Sequence, residues 1–411
     1  MLFLLTAAYV FAHVDRNLMS ILLEPVKEEL GVSDTLMGLL VGFSFAIFYT
    51  TAGIPVARWA DRGTRRNIVA LALVVWSGMT ALSGMARNFW QLALARVGVG
   101  MGEAGCSPPA HSLISDYFPP ASRGRALALF SAGIHIGGLF GWLAGGWLEY
   151  SLGWRSAFVI IGLPGILLGL LIRMTLREPE RGRLDPGKSE TEPAPFWDAV
   201  GLLWRQRSYV HLQIGGALHA FSAIGMGVWI APFFTRIHGM ELYEIGSWMG
   251  PLGGTCGFVG AFLGGWLSDR LSPRDARWYL WLPTITALGA IPFTVAFLFA
   301  PTPLWAFLFY VPHHILGSTF NGPTYAMTQA VVTQRTRALA VAAHLLVVNL
   351  LGMGLGPLLV GALNDFLRPE YGDIAIRYTM LVAALTNLTA CVFYLWGART
   401  VREEIARIAP A

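Results

Sequence analysis

Long apolar runs alternate along this chain with short clusters of charge. Runs of membrane-spanning length cover roughly 2–23, 36–58, 67–86, 89–117, 124–148, 156–175, 209–235, 245–268, 278–300, 303–331, 337–363 and 375–397. Each predicts a helix long enough to cross a bilayer. The series is interrupted once, by Glu178 to Pro195, which is rich in Pro, Glu and Arg and reads as a solvated linker. After it, Phe196, Trp197, Val200, Leu203 and Trp204 recur at helical spacing beside Arg205 and Arg207, the pattern of an amphipathic helix lying on the cytoplasmic leaflet. The expected organisation is a six-helix bundle over 1–176, a linker with that helix over 177–208, and a second six-helix bundle over 209–411.

The two halves echo one another. Ala57-Arg58-Trp59-Ala60-Asp61-Arg62 after the second run matches Gly265-Trp266-Leu267-Ser268-Asp269-Arg270 after the eighth. Ser122-Arg123-Gly124-Arg125-Ala126-Leu127 matches Gln334-Arg335-Thr336-Arg337-Ala338-Leu339 at nearly the same offset. Both echoes fall at the ends of apolar runs, as in a duplicated bundle.

Polar residues inside the runs change the picture from mere insertion to a site. Arg96 and Glu103 lie seven residues apart in the fourth run, nearly two helical turns, and so leave one face about 10 Å apart along the axis with Glu103 facing Arg96. Asp15 and Arg16 add an acid and a base in the first run. An unpaired charge at mid-membrane costs at least about 2.5–3.5 kcal/mol, so four such groups require partners or a wet cavity. Two readings stand: static ion pairs that fix packing, or a substrate and proton site. On the second, Arg16 and Arg96 hold an anionic head group and Asp15 and Glu103 carry protons.

The tenth run offers Tyr310, His313, His314, Phe320 and Asn321 at corresponding depth, with no fixed charge. A cavity polar on one wall and greasy on the other suits an amphiphile. Its tail is expected along Phe221, Met226, Trp229, Phe233, Phe320 and Tyr325. Other histidines in or near the runs, His13, His111, His135, His219 and His344, read as packing residues, with a proton relay as the alternative for any one of them.

Composition agrees and excludes. Hydrophobic residues make up 55% of the 411 and charged ones 13%, about half the soluble norm. The net charge of +5 comes from arginines in short clusters, which is topology rather than a nucleic-acid stripe. Of the 29 Lys and Arg, 21 fall on one side of the alternating runs and 6 on the other, leaving Arg16 and Arg96; both termini should be cytoplasmic, in the inner membrane of a cell. Met1 to Ala12 lack a basic n-region, so the first run reads as a spanning helix rather than a cleaved signal. Cys106, Cys256 and Cys391 have no paired spacing, and neither a metal nor another cofactor is called for. Gly100-Met101-Gly102-Glu103-Ala104-Gly105 fits the dinucleotide pattern but follows no strand, and no nucleophile and base share one depth, so an enzyme is not indicated.

Charges at the run ends suggest gates. Asp61, Arg62, Arg65 and Arg66, with Asp269 and Arg270, are placed to bridge between bundles at the cytoplasmic mouth. Asp34, read as the cap of the second run, and Arg236 are placed at the outer mouth. Gly133, Gly137, Gly141 and Gly145 form a seam in the fifth run, echoed by Gly253, Gly257 and Gly264 and by Gly352 and Gly356; such a seam either packs or lets helices slide.

The doubled loop segments, Leu94-Ala95-Arg96-Val97-Gly98-Val99-Gly100 and the fifth-run seam resemble the major facilitator superfamily. Val14-Asp15-Arg16, Gly100-Met101-Gly102-Glu103-Ala104, Asp116-Tyr117-Phe118 and Arg177-Glu178-Pro179-Glu180-Arg181-Gly182 resemble its Spinster family more closely. The resemblance implies an all-α membrane protein with the facilitator fold, twelve transmembrane helices in two six-helix bundles. It also implies transport of sphingolipid or lysophospholipid-like molecules, coupled to protons or downhill. The expected function is alternating-access transport of such an amphiphile by a monomer, with export of drugs or organic anions as the alternative and a non-transporting receptor as the rival of another class.

Overall fold

The computed structural model describes residues 1–182, 184, 196–333 and 335–408, and among them it is helical throughout, with no strand. Every predicted run becomes a helix, but three are broken where proline or glycine interrupts the backbone ladder. The fourth divides into Phe89–Glu103 and Ser107–Tyr117 at Ser107-Pro108-Pro109, where two amide donors are missing. The tenth divides into Pro303–Ser318 and Asn321–Ala330, ahead of Pro323. Both halves therefore break at the fourth run of their six, as an internal repeat requires. The seventh bends by 47° between Arg207–Val228 and Ile230–His238.

The fifth and sixth runs form one trace, Pro120–Thr175, turned at Gly153 with φ of 78°, a value glycine adopts without strain. Among the described residues five helices are long and apolar enough to cross a membrane as they stand, six counting the bent pair; two of the five, Pro120–Thr175 and Leu339–Arg407, each hold two predicted runs. The second run is capped by Ser33, whose hydroxyl accepts from the Leu36 amide at 3.2 Å. Asp34, expected as that cap, is instead the first helical residue, and its carboxylate is used elsewhere.

Contacts divide the chain into two compact units: Met1–Lys188 with Val228–Gly254, and Ser189–Gly227 with Thr255–Ala411. Residues 228–254, expected with the trailing bundle, thus pack with the leading one. Of the expected linker, 183 and 185–195 lie outside the described residues, as does Gln334 of the second echo; the helix Phe196–Arg205 is present.

The leading unit differs from a soluble protein in where its charges lie. Leu94 is 70% exposed and Arg96, two residues on, 1%. Large apolar side chains face outward while a few charges lie inside a core that is itself mostly apolar, as a hydrocarbon solvent permits.

The glycine seam presses the fifth run onto the first. A Cβ at Gly137 would lie 2.6 Å from the Val10 carbonyl oxygen, and one at Gly141 2.8 Å from that of Val14. A second seam, Gly246, Gly250 and Gly254, meets the carbonyls of Trp142, Leu139 and His135 in the same way. In the trailing unit Gly264 meets the Thr319 carbonyl, while Gly352 and Gly356 lie against Ala220 and Gly225. Gly137→Ala should lower stability by about 1–3 kcal/mol through overpacking. Gly138→Ala, whose Cβ would meet only Asn17 Nδ2 at 3.8 Å, should stay within about 0.5 kcal/mol of the parent. Thermal unfolding in detergent checks both, and equal shifts would show that the seam is not closely packed.

Candidate functional site

Three glycines bring the fourth run close enough to its neighbours to build a site. A Cβ at Gly100 would lie 2.8 Å from the Phe45 carbonyl oxygen, one at Gly102 2.8 Å from the Trp76 amide, and one at Gly98 2.7 Å from Met79. The helix Phe89–Glu103 therefore lies backbone-close to the second and third runs, and Arg96 and Glu103 point into the leading unit.

There the four charges pair across helices, not along them. Arg96 Nη1 donates to Asp15 Oδ2 at 2.8 Å, and Arg16 donates to Glu103 Oε2 through Nε at 2.7 Å and Nη2 at 2.6 Å. Glu103 does not face Arg96 as expected; seven residues separate the two along the axis by more than a hydrogen bond spans. Neighbours in sequence, Asp15 and Arg16 leave the first helix about 100° apart and reach different partners.

The two pairs differ in closure. Asp15 is 2% exposed and also accepts from Thr80 Oγ1 at 2.6 Å, and Arg96 is 1% exposed. Glu103 is likewise buried, but the Arg16 side chain keeps 23% of its surface. Its guanidinium lies 4.9 Å from the Phe45 ring and 5.0 Å from that of Tyr49, an aromatic seat that holds a cation without neutralising it. Arg96 Nε and Glu103 Oε1 are buried and have no hydrogen-bond partner. Thr80, Phe45 and Tyr49 were not singled out from the sequence; the only signal was the four-residue spacing of the two aromatics on the second run.

The expected outer pair is joined, with two further members. Arg236 donates to Asp34 at 2.6 and 2.8 Å and to Glu24 at 2.8 and 3.0 Å, and Lys27 pairs with Asp34 at 2.6 Å. All four belong to the leading unit.

The expected inner cluster is divided. Arg65, 1% exposed, binds Asp116, Glu178 Oε1 at 2.8 Å, Ser112 at 2.8 Å and the Pro179 carbonyl at 3.0 Å. Arg66 bonds to Glu178 through its amide and to the Leu176 carbonyl. Arg181 closes the network on the Ala60 and Gly63 carbonyls. These contacts are internal to the leading unit. Asp61, Arg62 and Asp269 are exposed and make no ion pair among the described residues, and Arg270 lies over the Trp266 ring. In the trailing unit Arg402 and Arg277 hold Asp275, whose carboxyl the Arg402 guanidinium keeps well below the usual carboxylate range.

The six expected tail residues are shared between the two units. Trp229 and Phe233 are wholly buried and fall in the leading unit, with Arg236 5.7 Å from the Trp229 ring. In the trailing unit Met226 is buried, Phe320 stacks on His219 at 4.0 Å, and Tyr325 stands edge-on to His344 at 5.2 Å. Phe221 and Tyr325 alone of the six are half-buried. In the trailing unit's interior His313 pairs with Thr294 at 2.7 Å and His344 with Gln213 at 2.9 Å, and the buried Glu404 accepts from the Ser208 amide at 3.1 Å. Among the described residues no group of three metal-ligating side chains occurs, and the three cysteines are free and buried.

A helical membrane bundle with buried, cross-paired charge and helices broken at the same place in each half has the architecture of a transporter rather than an enzyme. The Major Facilitator Superfamily model matches residues 5–343. An MFS-type efflux pump of Mycolicibacterium smegmatis is 35% identical over 96% of this chain and 91% of its own length. The sphingosine-1-phosphate transporter SPNS2 of Mus musculus is 26% identical over 95% of this chain and 75% of its own. A solved structure of a bacterial homolog of the human lysosomal transporter Spinster, inward-facing and unoccupied, superposes with a TM-score of 0.90 at 34% identity, covering 100% of this chain and 98% of that one. The chain belongs to the Major Facilitator Superfamily, has its fold, and is an integral membrane transporter; the likeness to the Spinster family read in its motifs is borne out.

Removing one member of a closed, buried ion pair strands the other. Arg96→Leu should therefore cost about 3–5 kcal/mol, and Arg96→Leu with Asp15→Asn should recover most of it. Thermal unfolding of the single and double variants measures this, and additive losses would contradict the pairing.

Proposed function

We propose that this protein moves an amphiphile with an anionic head and an acyl tail, sphingolipid or lysophospholipid-like, by alternating access coupled to protons. The observation that carries the reading is the open pair. Arg16 keeps exposed surface and an aromatic seat, while its partner Glu103 has one carboxylate oxygen unbonded. A proton on Glu103 removes the charge that holds Arg16. The guanidinium then offers its paired donors to a phosphate or carboxylate. Anion and proton thereby enter together, and expelling the anion restores the Arg16–Glu103 pair.

Asp15 and Arg96 form a second exchange element of the same kind, more tightly closed. Arg96 joins the head-group site only once Asp15 is neutral. The aromatic and aliphatic side chains Phe221, Met226, Trp229, Phe233, Phe320 and Tyr325 are proposed as the tail wall, entered through the half-buried Phe221 and Tyr325. Arg236 with Asp34 would gate the outer mouth, and Asp61 and Arg62 with Asp269 and Arg270 the inner. Cytoplasmic termini are in keeping with the arginine bias, and the protein is proposed to act as a monomer in the inner membrane.

A second reading, export of drugs or organic anions, is favoured by the described activity of the M. smegmatis relative. It uses the same arginine without the tail wall.

Flux of labelled lysophospholipid and sphingosine phosphate into proteoliposomes under an imposed pH difference tests the proposal. Arg16→Gln should reduce transport about 10–100-fold, the worth of a charge-assisted pair of bonds. Glu103→Gln should leave residual flux that no longer responds to pH. Competition by small organic anions but not by lysolipids would select the second reading, and unchanged pH dependence in both Glu103→Gln and Asp15→Asn would exclude these carboxylates as the coupling groups.

A further inference from the structure

The break in the tenth run leaves backbone groups that helix geometry cannot satisfy. Pro323 has no amide to donate to the carbonyl four residues back, that of Thr319, and this carbonyl instead abuts the backbone of Gly264 on the eighth run. The helix Pro303–Ser318 ends there, and the carbonyls of its last turn need donors from outside the helix.

One of those donors is a side chain of the seventh run. His219, on the helix Arg207–Val228 and 1% exposed, donates from Nε2 to the Gly317 carbonyl at 3.2 Å. The same imidazole stacks on Phe320, with ring centroids 4.0 Å apart and planes 19° from parallel. Phe320 caps the next helix, Asn321–Ala330. A single ring thus holds the tenth run on both sides of its break, by a bond before it and a stack after it, and all of these residues lie in the trailing unit.

A carbonyl can only accept, so the bond puts the imidazole proton on Nε2, while Nδ1 is buried with no hydrogen-bond partner. Phenylalanine would stack as well and strand no polar atom. Packing alone therefore does not account for a histidine here, and the bond to Gly317 does. The leading unit repeats the arrangement with other chemistry: Arg16 of the first helix reaches Glu103, the last residue of Phe89–Glu103, where the fourth run breaks. In each half the first helix sends one side chain to the break of the fourth.

We propose that His219 is a positioning residue for transport. By holding both sides of the break it fixes the place of Phe320 in the tail wall, and so sets how tightly an acyl tail is held. The hold on the break stands on the geometry; its effect on the tail rests on the amphiphile reading above.

Two substitutions separate the bond from the stack. His219→Phe keeps a ring for Phe320 and has no donor, whereas His219→Gln carries an amide nitrogen the same number of bonds from the backbone as Nε2. Hydrogen exchange of the parent and both variants in detergent, read by mass spectrometry over peptides spanning 315–325, tests the hold without any substrate. Exchange there should quicken about fivefold in His219→Phe, the worth of one lost hydrogen bond, and return toward the parent rate in His219→Gln. Uptake of labelled lysophospholipid into proteoliposomes tests the consequence. KM should rise by about the same factor in His219→Phe with kcat little changed, and fall back in His219→Gln; mere loss of folded protein would lower kcat instead. Parent-like exchange in His219→Phe, or equal changes in both variants, overturns the proposal. So does a KM that ignores both substitutions in a parent that transports the lipid. A parent that moves no lysophospholipid refutes the amphiphile reading, and the tail role with it, while the exchange rates still decide the hold.

Discussion

Four charges between the first and fourth helices of the leading unit, three of them buried, set the terms for the rest of its structure. Hydrocarbon offers them no solvation, so each must find a counter-charge in the protein, and the wrong partner is as costly as none. Same-helix partners are ruled out by helix geometry. The pairs must cross, and crossing fixes the rotation of both helices about their axes. Gly98 and Gly102 seat the fourth helix on the third, Gly100 seats it on the second, and Gly137 and Gly141 seat the fifth helix on the first, so glycines fix the helices that carry the charges. Glycine seams and buried charges are thus two halves of one constraint.

The pairs are chemically alike but not equivalent. Thr80 completes the coordination of Asp15, whereas Glu103 leaves an oxygen unmet and Arg16 remains open. A closed pair holds the framework, and an open one can change partners. That contrast between members of one cluster supports a site over a static brace, since a brace gains nothing from exposed cation surface and an unbonded buried oxygen. The trailing unit meets its buried polar groups with hydrogen bonds, His313 with Thr294, His344 with Gln213 and Ser208 with Glu404.

Much of this was legible in the chain. Apolar runs gave the helices, and the doubled Asp-Arg motifs gave the repeat. Arg96 and Glu103 stood out because charge in an apolar run is expensive. The pairing was not legible, because it depends on which faces of two distant helices meet. Thr80 was hidden for another reason: a hydroxyl in a helix has the carbonyl of the preceding turn within reach, here that of Trp76, so its bond to Asp15 leaves no trace in sequence. The breaks at Pro108 and Pro323 were visible but lay inside runs whose hydrophobicity was continuous. Arg65 read as a bridge between bundles because its acidic partners, Asp116 and Glu178, lie 51 and 113 residues away.

The central claim is that an anionic head group and the Glu103 carboxylate compete for Arg16, so that binding the one neutralises the other. Proton uptake on adding lysophospholipid or sphingosine phosphate to the purified protein in weakly buffered detergent, read with a pH indicator, tests it most directly. The account predicts uptake of about one proton per lipid bound in the parent chain and none in Glu103→Gln. Lipid that binds with no proton taken up at any pH, or with equal uptake in both proteins, would contradict it.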